Sequence, residues 1–106
     1  MMCEFSENQI AKYKEKMRKQ IFFLLLIVDP KTKDNYKDAN VEEAYDNVLR
    51  TFGGFNELMN CPMEMVTILS MLTAARQELH KSDFKFSVYR KLVLDAGCEV
   101  LKIKEV

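Results

Sequence analysis

The chain alternates between long amphipathic segments and short polar connections. Along four segments, apolar residues recur at steps of three and four positions, which is the period of one face of an α-helix. The four predicted helices cover about residues 7–28, 41–58, 62–80 and 83–101. The expected fold is therefore all-α, a compact bundle of four helices in which neighbours run antiparallel.

The most informative stretch is an unbroken apolar run, Ile21 to Val28, at the end of the first predicted helix. A helix that is apolar all round has to be covered on every side. One or two neighbouring helices do not easily cover so much apolar surface, so we expect the remainder to form an interface between chains. The candidate interface residues are Phe22, Phe23 and Leu26.

The expected helix ends are marked by residues with capping side chains. The expected N-terminal caps of the first, second and fourth helices are, in order, Ser6, Asn40 and either Ser82 or Asp83. Gln9 and Glu43 stand three residues after the first two caps, which is the spacing of a capping box. Pro62 is expected in the first turn of the third helix.

Two local questions stay open at the level of the sequence. Gly53 and Gly54 either end the second helix or only bend it. Residues 100–104 partly alternate between apolar and charged side chains, so they fit either the end of the fourth helix or a short strand.

Composition and charge narrow the class of protein. A chain of 106 residues suffices for one domain, residues 1–106, and an apolar content of 48% argues against disorder. Sixteen lysines and arginines balance sixteen acidic residues. Zero net charge argues against a nucleic-acid partner, because affinity for nucleic acids depends largely on neutralising phosphates.

The expected location is the cytoplasm. Cys3, Cys61 and Cys98 are widely spaced and odd in number, which fits free thiols in a reducing compartment. The apolar run is shorter than the roughly twenty residues that span a bilayer, and no small-residue cleavage site follows it. We therefore expect no membrane span.

Few residues offer catalytic chemistry. His80 is the only histidine, and the carboxylates nearest to it in sequence are Glu78 and Asp83. Cys61 precedes a predicted helix start, where a thiolate would be favoured. Phosphate-binding loops, serine-hydrolase motifs and di-iron ligand pairs do not occur in the sequence. We expect no catalytic residues, no cofactor and no metal.

These observations favour a non-catalytic protein–protein interaction module, or one that associates with itself as a homodimer. The chain resembles the many small helical proteins of bacteria and their mobile elements, although no motif identifies a family. That resemblance implies an alternative, a regulatory protein that acts on nucleic acid or on a nucleic-acid enzyme. The alternative requires one continuous basic surface formed by Lys12, Lys14, Lys16, Lys19, Arg90 and Lys91.

Two residues of the first helix test its central placement. Leu25 lies in the middle of the apolar run and is expected to be among the most buried residues of the fold. Lys14 belongs to a basic stretch and is expected on the surface, where a substitution costs little.

Overall fold

Four α-helices form the bundle in the computed structural model, which describes residues 7–104, with side chains from Gln9 onward. The helices are α1 (Glu7–Leu26), α2 (Val41–Leu58), α3 (Glu64–Leu79) and α4 (Phe86–Val100). A short 3₁₀-helix, Lys33–Tyr36, lies in the connection between α1 and α2. Residues 7–104 contain no strand. The predicted all-α bundle is confirmed, with helix ends a few residues from the expected positions.

Neighbouring helices run antiparallel, as contacts between their opposite ends show. The Tyr13 ring, in the first half of α1, stacks on the Phe55 ring near the end of α2 with 5.0 Å between centroids. Arg76, in the last turn of α3, binds Glu42 in the first turn of α2. The closest packing is between α3 and α4, followed by α1 against α4 and α1 against α2; of the four pairs of neighbouring helices, α2 and α3 pack least closely.

A single apolar core connects the four helices. Its largest fully buried side chains are Met17, Leu24, Tyr45, Phe52, Met65, Ile68, Leu72, Tyr89, Val93 and Val100. Each side chain of this kind stabilises the fold by roughly 1.5–3 kcal/mol when it leaves water. Leu25 is 5% exposed, so its predicted burial is confirmed.

The apolar run of α1 is not covered on every side within one chain. Ile21 and Leu24 are buried, whereas Phe22 is 52% exposed and Phe23 is 37% exposed. The neighbouring helices of one chain therefore leave part of the apolar run uncovered, as its length predicted. The physical reason is that α1 packs against only two helices, α2 and α4, which leaves part of its circumference open.

Lys14 is buried, so the prediction that it lies on the surface is wrong. It follows Ile10 by four residues and precedes Met17 by three, which places it on the apolar face of α1. Its stem is covered, and its Nζ donates hydrogen bonds to the carbonyl oxygens of Ile103 (2.7 Å) and Leu101 (3.3 Å). A cation is stabilised there because the carboxyl end of a helix carries partial negative charge.

Tyr89 of α4 likewise binds a backbone carbonyl at the end of α1. Its hydroxyl donates to the carbonyl oxygen of Leu24 at 2.7 Å. The Val28 N–H, which would be the regular helical donor to that oxygen, bonds to the Leu25 carbonyl instead. In the loop that follows α1, the Thr32 hydroxyl donates a hydrogen bond to the Leu26 carbonyl at 2.7 Å. Side chains thus satisfy carbonyls that a helix end leaves without partners.

The starts of α2 and α4 are capped in different ways. The Asn40 side chain accepts a hydrogen bond from the Glu43 N–H at 3.0 Å, which confirms that predicted cap. Neither Ser82 nor Asp83 caps α4, because this helix begins later, at Phe86, after Lys85. The cap comes instead from α3, whose Glu78 carboxylate accepts the Lys85 N–H at 3.0 Å. The predicted Ser6 cap lies outside the described residues.

The structure answers both questions that the sequence left open: the second helix continues through its two glycines, and the residues after Val100 form a turn. Gly53 and Gly54 lie inside α2, which continues to Leu58, and a Cβ added at either glycine would meet no atom within 4 Å. Packing therefore gives no reason for glycine at these positions. After Val100 the chain forms a turn, and residues 101–104 contain no strand.

The connection from α2 to α3 reverses the chain through two residues with left-handed backbone. Asn60 has φ 64° and Cys61 has φ 54°, and the Cys61 N–H donates to the Asn56 carbonyl at 2.7 Å. This is the hydrogen-bond pattern of a Schellman motif, in which asparagine is a common alternative to glycine. Because α3 begins at Glu64, Pro62 lies just before its first turn and not within it.

Because one face of α1 lies in the core, substitutions at different positions of this helix should change the free energy of unfolding by different amounts. Replacing Leu25 with alanine should lower the free energy of unfolding by about 2–5 kcal/mol, through lost burial and a cavity. Replacing Lys14 with alanine should lower it by about 1.5–3 kcal/mol, because two carbonyls lose a charged donor. The matched control is Lys12→Ala, at an exposed position, where the change should stay within about 0.5 kcal/mol. Urea unfolding gives all three values, and similar small losses at positions 12 and 14 would contradict the buried capping role.

The Glu78 cap predicts a pH-dependent stability. The N–H of Lys85, together with the Lys81 ammonium, holds the pKa of the Glu78 carboxyl below its usual value. A carboxyl with a lowered folded-state pKa stabilises the fold above its unfolded-state pKa, about 4.3, and this contribution is lost as pH falls through the folded-state pKa. Glu78→Gln should therefore melt below wild type at pH 7, and the two melting temperatures should converge in acid.

The control for this experiment is Glu57→Gln, an exposed carboxyl in the last turn of α2. It should melt close to wild type across the whole range from neutral pH to acid. A difference between Glu78→Gln and wild type that stays constant with pH would show that the lost cap was not acting through its charge.

Candidate functional site

The three predicted interface residues do not form one patch. Phe22 lies towards α4, where it remains open to solvent. The Phe23 ring packs edge-on against Tyr36 of the 3₁₀-helix at 5.6 Å between centroids, and it borders Ala44 of α2. Leu26 is half-buried, and its backbone carbonyl accepts a hydrogen bond from the Thr32 hydroxyl in the loop that follows α1. Phe23 and Leu26 therefore contact the connection from α1 to α2, and Phe23 also lines a depression beside α2. Of the three residues, Phe22 alone lines the depressions between α1 and α4.

An open groove runs between α1 and α4. It consists of two adjoining depressions, of about 420 Å³ and about 310 Å³, which share Arg18 and Phe22. We call it the α1/α4 groove, and its defining residues are Glu15, Arg18, Phe22, Leu94, Gly97 and Leu101. Leu101 is 55% exposed, similar to Phe22. Two large apolar side chains thus remain in contact with water on the same surface.

Gly97 forms part of the floor of this groove. A Cβ added there would meet only the Ile21 side chain at 3.9 Å, an ordinary contact. Packing within the chain therefore does not require glycine, although glycine inside a helix costs about 1 kcal/mol relative to alanine. The absence of a side chain at this position leaves the groove deeper than any other residue would.

The rim of the groove is positively charged. Glu15 and Lys19 form an ion pair at 3.9 Å, but both side chains are largely exposed, so the pair contributes little. Arg18 borders the groove, and Arg90 lies one turn before Leu94 on the same side of α4. Neither guanidinium makes an ion pair or hydrogen bond within residues 7–104. One arginine in the groove and one beside it are therefore not bound by any carboxylate of residues 7–104.

The six basic residues required for a nucleic-acid surface are interrupted. Lys14 points inward to the end of α4. Lys19 lies beside Glu15, and Lys91 binds Asp95 on the same helix at 2.9 Å. Carboxylates are therefore interspersed among these cations, and a continuous basic surface made from all six does not form.

The residues considered for catalysis are kept apart. Cys61 precedes α3 and His80 follows it, so a helix of 16 residues, about 24 Å long, separates them. His80 Nε2 lies 2.9 Å from a Glu42 carboxylate oxygen on α2, not beside Asp83 as its sequence position suggested. Both the imidazole and the Cys61 thiol are exposed.

Glu42 and Asp46 hold an arginine between α2 and α3. Arg76 approaches a Glu42 oxygen at 2.7 Å and an Asp46 oxygen at 3.0 Å, and its guanidinium lies 5.6 Å from the centre of the Tyr45 ring. These two carboxylates remain partly exposed while they bind a cation on another helix. This cluster joins the two neighbouring helices that pack least closely.

Two buried tyrosines, Tyr45 and Tyr89, form a pair between α2 and α4 that the sequence analysis did not predict. The Tyr45 hydroxyl donates to the Tyr89 hydroxyl at 2.9 Å, and Tyr89 donates in turn to the Leu24 carbonyl. Burial raises the pKa of Tyr45, and it raises the pKa of Tyr89 to about 12. Both hydroxyls therefore remain protonated at neutral pH and act as structural donors. The feature of the sequence that could have indicated the pair is one tyrosine in the apolar stripe of α2 and one in that of α4.

Among residues 7–104, no three histidine, cysteine, aspartate or glutamate side chains come together as ligands for a metal ion. Within the same part of the chain, every helix is too short or too polar to cross a lipid bilayer.

The tyrosine pair predicts different losses from two matched substitutions. Tyr89→Phe removes the donor to the Leu24 carbonyl and the acceptor of the Tyr45 hydroxyl, so it should lower the free energy of unfolding by about 1–3 kcal/mol. Tyr45→Phe removes one donor and leaves the Tyr89–Leu24 hydrogen bond in place, so it should cost less. Chemical denaturation measures both. An equal or larger loss for Tyr45→Phe would contradict the order of donors in this pair.

Comparison of the chain with protein-family models, with curated proteins and with solved structures finds no match.

Proposed function

We propose that this protein is a non-catalytic protein–protein interaction module and that the α1/α4 groove is its contact face. The observation that carries the proposal is the exposure of Phe22 (52%) and Leu101 (55%) on one groove. Large apolar side chains grouped in one depression mark interaction surfaces more often than isolated ones do. Aromatic and arginine side chains are also the residues that dominate binding energy at interfaces.

The arrangement of charge favours this function over action on nucleic acid. A nucleic-acid surface needs several cations free to approach phosphates. Here Lys14 is committed to the end of α4, and Lys91 is paired with Asp95. The remaining cations near the groove are few and accompany apolar side chains, which suits a protein partner.

The thiols and the separated polar residues also support an interaction role. His80 and Cys61, at opposite ends of α3, do not supply a nucleophile and a base at one point, as covalent catalysis requires. The exposed thiols of Cys61 and Cys98 suit a reducing compartment, and we place the protein in the cytoplasm on that basis.

Self-association is one form of this function, with a second copy of the chain on the groove. Homodimers most often use a two-fold contact in which the same patch meets itself. Phe22 and Leu101 supply apolar surface for such a contact. Arg18 and Arg90 oppose it, because an isologous contact brings the like charges of both copies onto one surface.

Photo-crosslinking from the groove tests the proposed contact face. Cys98 lies in the groove, and Cys3→Ser with Cys61→Ser leaves it as the only thiol for a benzophenone maleimide. Irradiation in an extract of the source cells should give an adduct of discrete mass, and Phe22→Ala should abolish that adduct because the apolar anchor is lost.

The matched control carries Cys98→Ser and Thr73→Cys, which moves the label to an exposed position on α3. This label should give no discrete adduct. The same pattern of adducts from both positions, or an adduct that is unchanged by Phe22→Ala, would refute the groove as a contact face.

A further inference from the structure

We infer that the occupant of the α1/α4 groove is an amphipathic helix of a partner protein, apolar on one face and bearing carboxylates beside that face. The inference rests on the proposed function of the groove as a contact face, and it adds the chemistry of the partner.

The form of the groove favours a helix as its occupant. Residues 7–104 contain no strand, so an extended peptide finds no sheet edge there to extend. The groove lies between two antiparallel helices and runs from Ala11 to Phe22 along α1, about 17 Å at the rise of a helix. A partner helix of about three turns matches that length, and it would bind through residues spaced three, four and seven apart.

The apolar contacts of the groove repeat at the spacing of such a helix. Leu94 and Leu101 lie seven residues apart on α4, about 10.5 Å along its axis, which equals the separation of residues i and i+7 on an occupant. Gly97 lies between them and carries no side chain. The occupant can therefore approach the α4 backbone closely while Phe22 packs against its flank.

The charge of the rim selects an acidic partner. Arg18 of α1 lines the groove, and Arg90 of α4 lies one turn before Leu94, which also lines it. Neither arginine has an ion pair within residues 7–104. Arginine binds carboxylates with two parallel hydrogen bonds, and its guanidinium is less strongly hydrated than an ammonium group, so it suits an interface. A second copy of this chain would present the same arginines in an isologous contact, whereas a helix with glutamates at its flanks would complement them.

The test uses the full chain and two designed helical peptides. Both carry leucine at positions i, i+3, i+4 and i+7, and the flanking positions are glutamate in one and lysine in the other. Fluorescence anisotropy at low salt should show at least about tenfold tighter binding of the glutamate peptide, because only its flanks are opposite in charge to the arginines. Added salt should reduce that preference, because exposed charges are screened.

Variants of the chain separate the two kinds of contact. Arg18→Ala combined with Arg90→Ala should remove the preference for glutamate, whereas Arg50→Ala, an exposed arginine on α2, should preserve it. Phe22→Ala should weaken binding of the glutamate peptide by about tenfold or more. The control Val66→Ala, at a position 71% exposed on α3, should leave the affinity unchanged.

Gly97→Ala distinguishes a binding effect from a folding effect. The added Cβ meets only an ordinary contact within the chain, and alanine favours helix, so the melting temperature should stay the same or rise. The same methyl group narrows the floor of the groove, so the peptide should bind several-fold more weakly. Weaker binding by a chain that melts no earlier than wild type cannot result from unfolding.

Each remaining outcome overturns the inference in a distinguishable way. Equal binding of the two peptides, or binding of neither, removes the acidic helix as occupant. A dimer detected by light scattering and abolished by Phe22→Ala would make a second copy the occupant, and the proposed function would stand. Tighter binding of a duplex oligonucleotide than of the glutamate peptide would favour the regulatory alternative. Failure of the crosslink from Cys98, by contrast, would remove the contact face itself.

Discussion

The register of α1 on α4 depends on two side chains that complete each other's helix ends. Lys14 of α1 binds carbonyls beyond α4, and Tyr89 of α4 binds a carbonyl at the end of α1. Apolar surfaces alone tolerate a slip of one turn, but such a slip would leave a buried ammonium and a buried hydroxyl without acceptors, which is costly. In the same register Phe22 and Gly97 line one depression, so the alignment that these polar contacts favour is also the one that forms the groove.

Much of the bundle follows from local pattern. The number of helices, their antiparallel order and the Asn40 cap depend on periodicity and on residues a few positions apart, which the sequence displays directly. The capping roles of Lys14 and Glu78 depend on partners in other helices. The prediction that Lys14 lies on the surface was wrong because a basic stretch usually indicates a surface, whereas the helical position of Lys14 puts it on the apolar face of α1.

The candidate site was only half predictable for the same reason. The apolar run drew attention to Phe22, because eight consecutive apolar residues exceed what two neighbours cover. Leu101 and Arg90 gave no such signal, since each is an ordinary residue near one end of α4. They became part of a site only when folding set α4 beside α1. Conversely, Phe23 and Leu26 contact the loop that follows α1 and do not line the α1/α4 groove.

The bond between Lys14 and the Ile103 carbonyl spans 89 positions of the chain. The ribosome makes α1 long before it makes the residues that accept this ammonium. Until Ile103 has been made, the Lys14 ammonium stays hydrated and the side of α1 that packs on α4 is uncovered. Contacts between residues so far apart in the sequence are slow to form, because closing the long loop between them costs entropy. The side of α1 that packs on α4 therefore stays exposed on the nascent chain until α4 has been made, which is the kind of exposed apolar surface that chaperones protect.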